Sequence, residues 1–262
     1  MTDSASISLS AIAEFLDGIL NVAGIPDYPS AVNGTQLSNS GSVRRVATAV
    51  DFSSATIRGA IDADAQLLIV HHGMFWGGVQ PITAHRRERL RLLLEHDIAV
   101  YSAHLPLDIH PRLGNNALLA RRLGLTPSGG FARYQTVDVG LSGMTEIATT
   151  TLAERAGELS REFRGTLVST PFAPSRVTRQ WGMCTGSGAY SSTLREAANR
   201  GLDTLIVGEG PHHSAVEAGE LDIVVLYAGH YATETFGVRA LGEELTTKFG
   251  VPSSFIDVPS GL

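Results

Sequence analysis

Two segments of the sequence resemble each other, and this repeat limits the possible folds more than any other feature. When the chain is shifted by 137 residues against itself, residues 56–70 align with residues 193–207, and six of the fifteen positions are identical. A shift of 126 residues aligns a second pattern, His-x-x-x-acid, at 104–108 and 230–234. Because the two matches occur in the same order, an internal duplication explains them better than chance does.

Short apolar runs alternate along the chain with segments of helical spacing, which is typical of an α/β protein. We therefore expect two duplicated, intertwined α/β halves with mixed sheets, residues 1–125 and 126–262. The predicted strands are 46–50, 67–70, 98–102, 165–169, 180–184, 205–207 and 223–227. The predicted helices are 12–20, 54–63, 85–96, 116–123, 152–163, 193–200, 213–219 and 234–249.

Charge and composition exclude several classes of function. The 20 basic and 26 acidic residues give a net charge of −6, which argues against a protein that mainly binds nucleic acid or anionic membranes. No uncharged apolar run approaches the roughly 18 residues of a membrane span, and the first residues lack the basic start of a signal peptide. We expect a cytoplasmic protein. Its one cysteine, Cys184, forms no internal disulfide and is interpreted as a buried apolar residue.

The histidines are distributed unevenly, since all nine lie between His71 and His230. His71 and His72 directly follow the apolar run 67–70, where a buried strand is predicted to end. Ligands of open α/β sheets bind at this carboxyl edge. Neighbouring residues on a regular strand point to opposite sides, so a pair of partly exposed histidines is the alternative interpretation.

Further histidines and acids follow other predicted strands, and together they predict a metal site. Imidazole and carboxylate are ligands of Zn, Mn, Fe, Co and Ni. Their number exceeds what one ion needs, so we expect a dinuclear centre. The residues at these further strand ends are His104, Asp108, His212, His213, His230 and Glu234.

Three other features have a weaker functional signal. The glycine-rich turn Gly186–Gly188 either holds phosphate or is a plain tight turn, and it lacks a P-loop lysine. Glu209 aligns with His72 in the repeat and is either a general base or an acid that orients a histidine. The arginine-rich helix that includes His85 is interpreted as a solvated face.

Beyond these spacings, several short motifs resemble one known family, the NIF-three-like proteins, also called GTP cyclohydrolase I type 2 homologs. The resemblance covers most of the chain, from about residue 33 to residue 240. The His-His-Gly and Gly-His-Tyr-Ala-Thr-Glu motifs are its most specific part. The matching segments are 33–34, 49–51, 69–76, 102–108, 114–116, 186–188, 208–209, 212–213 and 228–234.

The resemblance implies a duplicated α/β fold with the metal site in the cleft between the halves, and a toroidal homohexamer. It also implies two divalent metal ions per subunit, their identity open among Zn, Fe, Mn, Co and Ni. His104 would lie beside the ligands and hydrogen-bond near the metals. The roughly fifty residues between 125 and 174 leave no room for the inserted middle domain that many relatives carry. The implied ligands are His71, His72, Asp108, His230 and Glu234.

A metal-dependent hydrolase is the function that this site favours, acting on a small-molecule or phosphate-containing ligand. Two ions can activate a bridging water, and Glu209 or His213 would then transfer protons. The alternative from another class is a non-catalytic metal-binding scaffold or regulatory protein that acts through partners. A third hypothesis is a nucleotide-binding regulator that uses the turn Gly186–Gly188.

Overall fold

The structure is a computed structural model that describes residues 6–262. Strands and helices alternate through its first part. In chain order these elements are β1 (Ile7–Ser8), α1 (Leu9–Leu20), β2 (Gly34–Leu37), β3 (Ser42–Val43), β4 (Val46–Asp51), α2 (Ser54–Asp62), β5 (Leu67–His72), α3 (Ala84–Glu95), β6 (Ala99–Ser102) and α4 (Leu105–Asp108).

The remaining elements continue the alternation after an added hairpin. They are α5 (Asn115–Leu123), β7 (Gly129–Tyr134), β8 (Val137–Ala148), α6 (Thr149–Glu162), β9 (Val168–Ser169), β10 (Val177–Cys184), α7 (Ser191–Asn199), β11 (Thr204–Val207), α8 (His212–Glu220), β12 (Val224–Tyr227), α9 (His230–Phe249) and β13 (Ser253–Phe255). Among residues 6–262, no helix has both the length and the apolar character needed to cross a bilayer.

The chain divides into two compact units, each with one large sheet. The first unit comprises the described part of Met1–Leu107 together with Gly237–Val258. Its sheet has the strand order β13-β4-β5-β6-β2, in which only β2 pairs antiparallel to its neighbour. The second unit comprises Asp108–Phe236 and Pro259–Leu262, and its sheet has the order β7-β8-β10-β11-β12-β9.

Both units contain the same parallel core, which confirms the predicted α/β class and the duplication. In the first unit the order is β4-α2-β5-α3-β6, and in the second it is β10-α7-β11-α8-β12. In each unit an antiparallel strand, β2 or β9, then pairs with the last parallel strand. The parallel strands therefore end at one edge of each sheet, where the following loops carry the polar residues of interest.

The central strands are apolar because helices and neighbouring strands cover them. All six residues of β5 are buried, as expected for a strand inside a parallel sheet. Helix α2 starts with a capping box in which Ser53 and Thr56 satisfy each other's backbone N–H groups. It packs against β4 and α3. The core of the first unit includes Ala47, Ala49, Ile57, Ala60, Leu68, Val70, Leu93, Ile98 and Val100.

Strand β5 is longer than the sequence predicts, since it continues through His71 and His72 instead of ending at Val70. The parallel neighbour β4 explains the extension. Its last residue Asp51 is in register with His72, and the N–H of Phe52 donates to the carbonyl of His72. The two histidines are thus part of the sheet, and their backbone is held in place by β-pairing.

Helix α9 begins at His230, four residues before the predicted start at Glu234. The residues 230–233 have modest helix propensity, but Gly229 turns the chain with a φ of +98° and the hydroxyl of Thr233 donates to the carbonyl of His230. The earlier start places His230 and Glu234 four residues apart on one helical face.

The strands β7 and β8 form a long hairpin in a region where the sequence predicts no strand. Glycine is needed here for packing, because a Cβ on Gly130 would lie 2.4 Å from Oδ2 of Asp138 in the partner strand. Because a pair of glycines usually indicates a turn, the sequence did not reveal that two strands approach each other closely here.

Two glycines inside helices test the packing of the first unit. A Cβ on Gly59 of α2 would lie 2.3 Å from Cγ2 of Ile256, whereas a Cβ on Gly18 of α1 would have no atom within 4 Å. We expect Gly59→Ala to lower the free energy of unfolding by about 1–3 kcal/mol through overpacking. Gly18→Ala should raise it by about 0.5–1 kcal/mol, because alanine loses less entropy in a helix.

Urea unfolding followed by circular dichroism measures both changes. If Gly59→Ala were as stabilising as Gly18→Ala, the packing of α2 against Ile256 would be wrong.

Candidate metal centre

Three buried histidines meet at the carboxyl edge of the first unit's sheet. His71 and His72 end β5, and His104 follows β6 just before α4. Their exposed fractions are 0%, 6% and 7%, so the alternative of partly exposed histidines is wrong. Each offers one ring nitrogen, and these nitrogens lie within 4.8 Å of one another. The sheet edge thus brings three possible metal ligands together.

An oxygen atom holds the Nδ1 atom of each of these three rings. The Nδ1 of His71 lies 2.8 Å from the backbone carbonyl oxygen of Ala103, and that of His72 lies 2.9 Å from Oδ1 of Asp51. The Nδ1 of His104 lies 2.8 Å from Oδ1 of Asp27.

Carbonyl and carboxylate oxygens only accept hydrogen bonds, so Nδ1 carries the proton in each ring. The Nε2 lone pair is then the one suited to a metal, as in metal sites where a carboxylate orients a histidine ligand.

Two of these three oxygen acceptors are carboxylates, and Asp27 is the more deeply buried of the two. Its carboxylate also accepts from the Asn33 side chain (2.8 Å) and from the N–H of Leu105 (2.9 Å). Burial raises the pKa of Asp27, but its interactions with His104 and Asn33 outweigh burial and hold the pKa below its ordinary value. The carboxylate therefore stays charged and keeps the His104 ring in one orientation.

In the second unit, Asp108, His230 and Glu234 are placed by two helices. Asp108 ends α4, and its Oδ1 accepts from the side chains of Asn115 (2.8 Å) and Thr185 (3.4 Å). His230 and Glu234 lie one turn apart at the start of α9, with Nε2 of His230 3.0 Å from Oε2 of Glu234. Asp108 and Glu234 are 6% and 2% exposed.

The ring of His230 is oriented in the same way as the histidines of the first unit. Its Nδ1 lies 2.9 Å from Oε1 of Glu209, and that oxygen also accepts from the hydroxyl of Ser187 at 2.9 Å. Of the two roles predicted for Glu209, the structure therefore supports the acid that orients a histidine.

The acidic groups of the second unit stabilise positively charged groups placed next to them. Burial lowers the pKa of His230, but Glu234 and Glu209 together raise it to about 9. Burial raises the pKa of the Cys184 thiol to about 12, and the charges of Asp108 and Glu234 add to the effect. A thiol of this kind is unreactive, and the same negative field would stabilise a bound cation.

Gly186 allows the chain to pass unusually close to Glu234. Its φ is +63°, and a Cβ there would lie 2.1 Å from Oε1 of Glu234 and 3.3 Å from Nε2 of His230. The N–H of Gly186 donates to Thr233, and that of Gly188 donates to the carbonyl of Gly186. Because these N–H groups are used within the protein, the turn is better explained by close packing than by phosphate binding.

The donor set fits first-row divalent metals, which take imidazole nitrogen and carboxylate oxygen. In the first unit the residues that could hold a metal are His71, His72 and His104. In the second, His230 and Glu234 belong to a candidate ligand group, and Asp108 is a buried carboxylate.

His213, the other predicted catalytic residue, lies exposed in the first turn of α8 and takes part in none of these hydrogen bonds. His85 lies exposed in α3.

Sequence reasoning assigned an orienting role to Glu209 alone, as one of two alternatives, and to none of the other groups that orient the ligands. Asp51 could have been found, since the parallel register of β4 and β5 pairs it with His72. Asn115 belongs to a matched family segment but received no role. Asp27 has no such signal, because it lies in a loop 77 residues before His104.

Sequence comparison relates the whole chain to one family. The family model Duf34/NIF3 (NGG1p interacting factor 3) matches residues 7–260. A protein of Deinococcus radiodurans named "GTP cyclohydrolase 1 type 2 homolog" is 38% identical, covering 100% of this chain and 97% of its own length. A protein of the same name from Archaeoglobus fulgidus is 36% identical over 98% of this chain and 100% of its own.

Solved structures give the same result for the fold. Protein ybgI, described as of unknown function, has a TM-score of 0.87 and 33% identity, covering 98% of this chain and 100% of that chain. Protein TTHA1606 from Thermus thermophilus has a TM-score of 0.82 and 35% identity with the same coverage. The mixed α/β fold is thus shared over nearly the full length.

Replacing Gly186 with alanine should reduce the metal bound by the purified protein, because the new Cβ would displace the Glu234 carboxylate. Gly201→Ala is the matched control. Gly201 also has a positive φ, +69°, but the atom nearest to its Cβ is Nε2 of Gln180 at 3.8 Å. Both variants strain the backbone by about 1–2 kcal/mol, so Gly201→Ala controls for that strain, and only Gly186→Ala also displaces a carboxylate of the site.

Zinc content after dialysis, measured by inductively coupled plasma mass spectrometry, distinguishes the two variants. Equal zinc content in both would show that Glu234 takes no part in metal binding.

Proposed function

The chain belongs to the Duf34/NIF3 family, and we propose that it binds two divalent metal ions and catalyses a metal-dependent hydrolysis. The proposed ligands are His71, His72, Asp108, His230 and Glu234. The family match supports this assignment, and so do the groups of imidazole and carboxylate side chains that could hold a metal ion.

The observation that carries the proposal is the common orientation of the imidazole rings. His71, His72 and His230 each have Nδ1 against an oxygen acceptor. Any buried imidazole needs a hydrogen-bond partner, but in a metal ligand it is the nitrogen not bound to the metal that is held in this way. Two of the acceptors, Asp51 and Glu209, are carboxylates, which also raise the basicity of the ring they hold.

Two divalent ions, when bound, supply a hydroxide nucleophile near neutral pH and polarise the bond to be hydrolysed. The chain itself positions the ligands and handles protons. Asn115 fixes one oxygen of Asp108, and Ser187 fixes the Glu209 carboxylate that orients His230. We propose Glu209 and His213 for proton transfer. Glu209 lies within the site, where it also orients His230 at 2.9 Å, whereas His213 lies exposed in α8.

The substrate class follows from the relatives' names and from the site chemistry. The relatives are named homologs of GTP cyclohydrolase 1 type 2, so a small molecule with a phosphate or a hydrolysable ring is the substrate we propose. We also propose a homohexamer, as the family resemblance implies, and a cytoplasmic location.

Removing one ligand should lower the metal content without unfolding the protein. We expect His72→Ala and Glu234→Ala to bind zinc at least about tenfold more weakly than the wild type. His85→Ala is the control, because His85 lies exposed on α3 away from the buried cluster. Zinc titration by isothermal calorimetry measures the affinities. Wild-type affinity in both ligand variants would refute the assignment.

Turnover separates the hydrolase from a metal-binding scaffold. We expect the metal-loaded protein to hydrolyse at least one member of a panel of purine nucleotides, phosphoesters and amides. The activity should be lost after treatment with a chelator and return when metal is added. If metal-loaded and metal-free protein show the same background rate, the scaffold alternative is correct.

A further inference from the structure

The indole ring of Trp76 lies against the histidine cluster of the first unit. Its ring centroid is 4.4 Å from that of His104 and 4.7 Å from that of His72, at angles of 59° and 40°. The residue nevertheless keeps 37% of its surface exposed. Because part of the indole is covered by the imidazoles, the exposed part faces solvent directly beside the proposed ligands.

A tight turn around the side chain of Gln36 places Trp76 beside the histidines. Gln36 accepts a hydrogen bond from the N–H of Met74 at 2.6 Å and donates to the carbonyls of Ala31 and Val32. Its amide sits so close to Gly73 that a Cβ there would lie 2.4 Å away. The backbone between His72 and Trp76 is therefore fixed by the side-chain amide of Gln36.

Tyr28 forms a second aromatic wall. Its ring lies 6.3 Å from that of Trp76 at an angle of 86°, and 5.9 Å from that of His104. Tyr28 is 43% exposed. Trp76 and Tyr28 thus form a two-sided aromatic corner, open to solvent on one side and bounded by the buried imidazoles on the other. Large aromatic side chains left exposed together in this way typically mark a binding site.

We propose that this aromatic corner binds the planar ring of a nucleobase by stacking on Trp76. The inference rests on the proposed metal centre, since it places the ring next to the ions. Stacking on indole suits every nucleobase because each has a π-face. An aromatic corner can also hold a quaternary ammonium group, but the positive charge of the proposed metal ions, when bound, would disfavour a cation here.

The test compares two probes that differ only in the base, guanosine 5′-monophosphate and ribose 5-phosphate, with tetramethylammonium as a third. Binding to the metal-loaded protein is measured by isothermal calorimetry. Trp76→Leu removes the stacking surface and Trp76→Phe retains a smaller one. Phe75→Leu is the matched control, since Phe75 is a neighbouring exposed aromatic residue (36%) outside the corner.

We expect guanosine monophosphate to bind more tightly than ribose 5-phosphate. Trp76→Leu should weaken the nucleotide by about 5- to 100-fold, while Trp76→Phe keeps most of the affinity and Phe75→Leu all of it. The inference is overturned if the two phosphates bind equally, if the nucleotide does not bind, if Trp76→Leu leaves nucleotide affinity unchanged, or if tetramethylammonium is preferred.

Metal content measured in each variant keeps this test separate from the proposed function. Loss of nucleotide binding in Trp76→Leu with full metal content supports stacking. Wild-type protein that binds no metal refutes the metal centre, and stacking can then still be measured on the metal-free chain.

Discussion

The hydrogen bond between an imidazole Nδ1 and a fixed oxygen atom is the interaction on which the proposed metal centre depends. A buried neutral imidazole has one donor and one acceptor, and the oxygen determines which nitrogen is which. With Nδ1 satisfied by Asp51, Asp27 or a backbone carbonyl, Nε2 is the basic nitrogen that would bind a metal ion. Without these oxygens, the histidine rings would lack a fixed orientation and the buried nitrogens would be costly to desolvate.

The duplicated α/β fold supplies these oxygens through the positions of strand ends. In the first unit, the parallel register of β4 and β5 places Asp51 beside His72, and the end of β6 brings the carbonyl of Ala103 to His71. In the second unit, the loop after β11 carries Glu209 to His230 at the start of α9. The repeat therefore also explains the composition of the site. It accounts for why acids and histidines occur at the ends of neighbouring strands in both units.

The sequence alone predicts those parts of the fold and site that depend on local patterns. Apolar runs followed by helical spacing predict the parallel cores, and the repeat predicts that there are two. Contacts that depend on distant segments were not predictable. Asp27 reaches His104 across 77 residues, and Gly186 is a glycine because Glu234 approaches it from another element. The hairpin β7–β8 was missed for the same reason, since Gly130 indicates a turn locally but serves a close approach to Asp138.

Anomalous X-ray diffraction from crystals grown with zinc tests the proposed metal centre most directly. We expect zinc at about 2.0–2.2 Å from imidazole nitrogens and carboxylate oxygens, with Nε2 as the bound nitrogen of every ligating histidine. The predicted ligands are His71, His72, Asp108, His230 and Glu234. Zinc bound through Nδ1, or zinc found only on exposed histidines such as His85, would contradict this assignment.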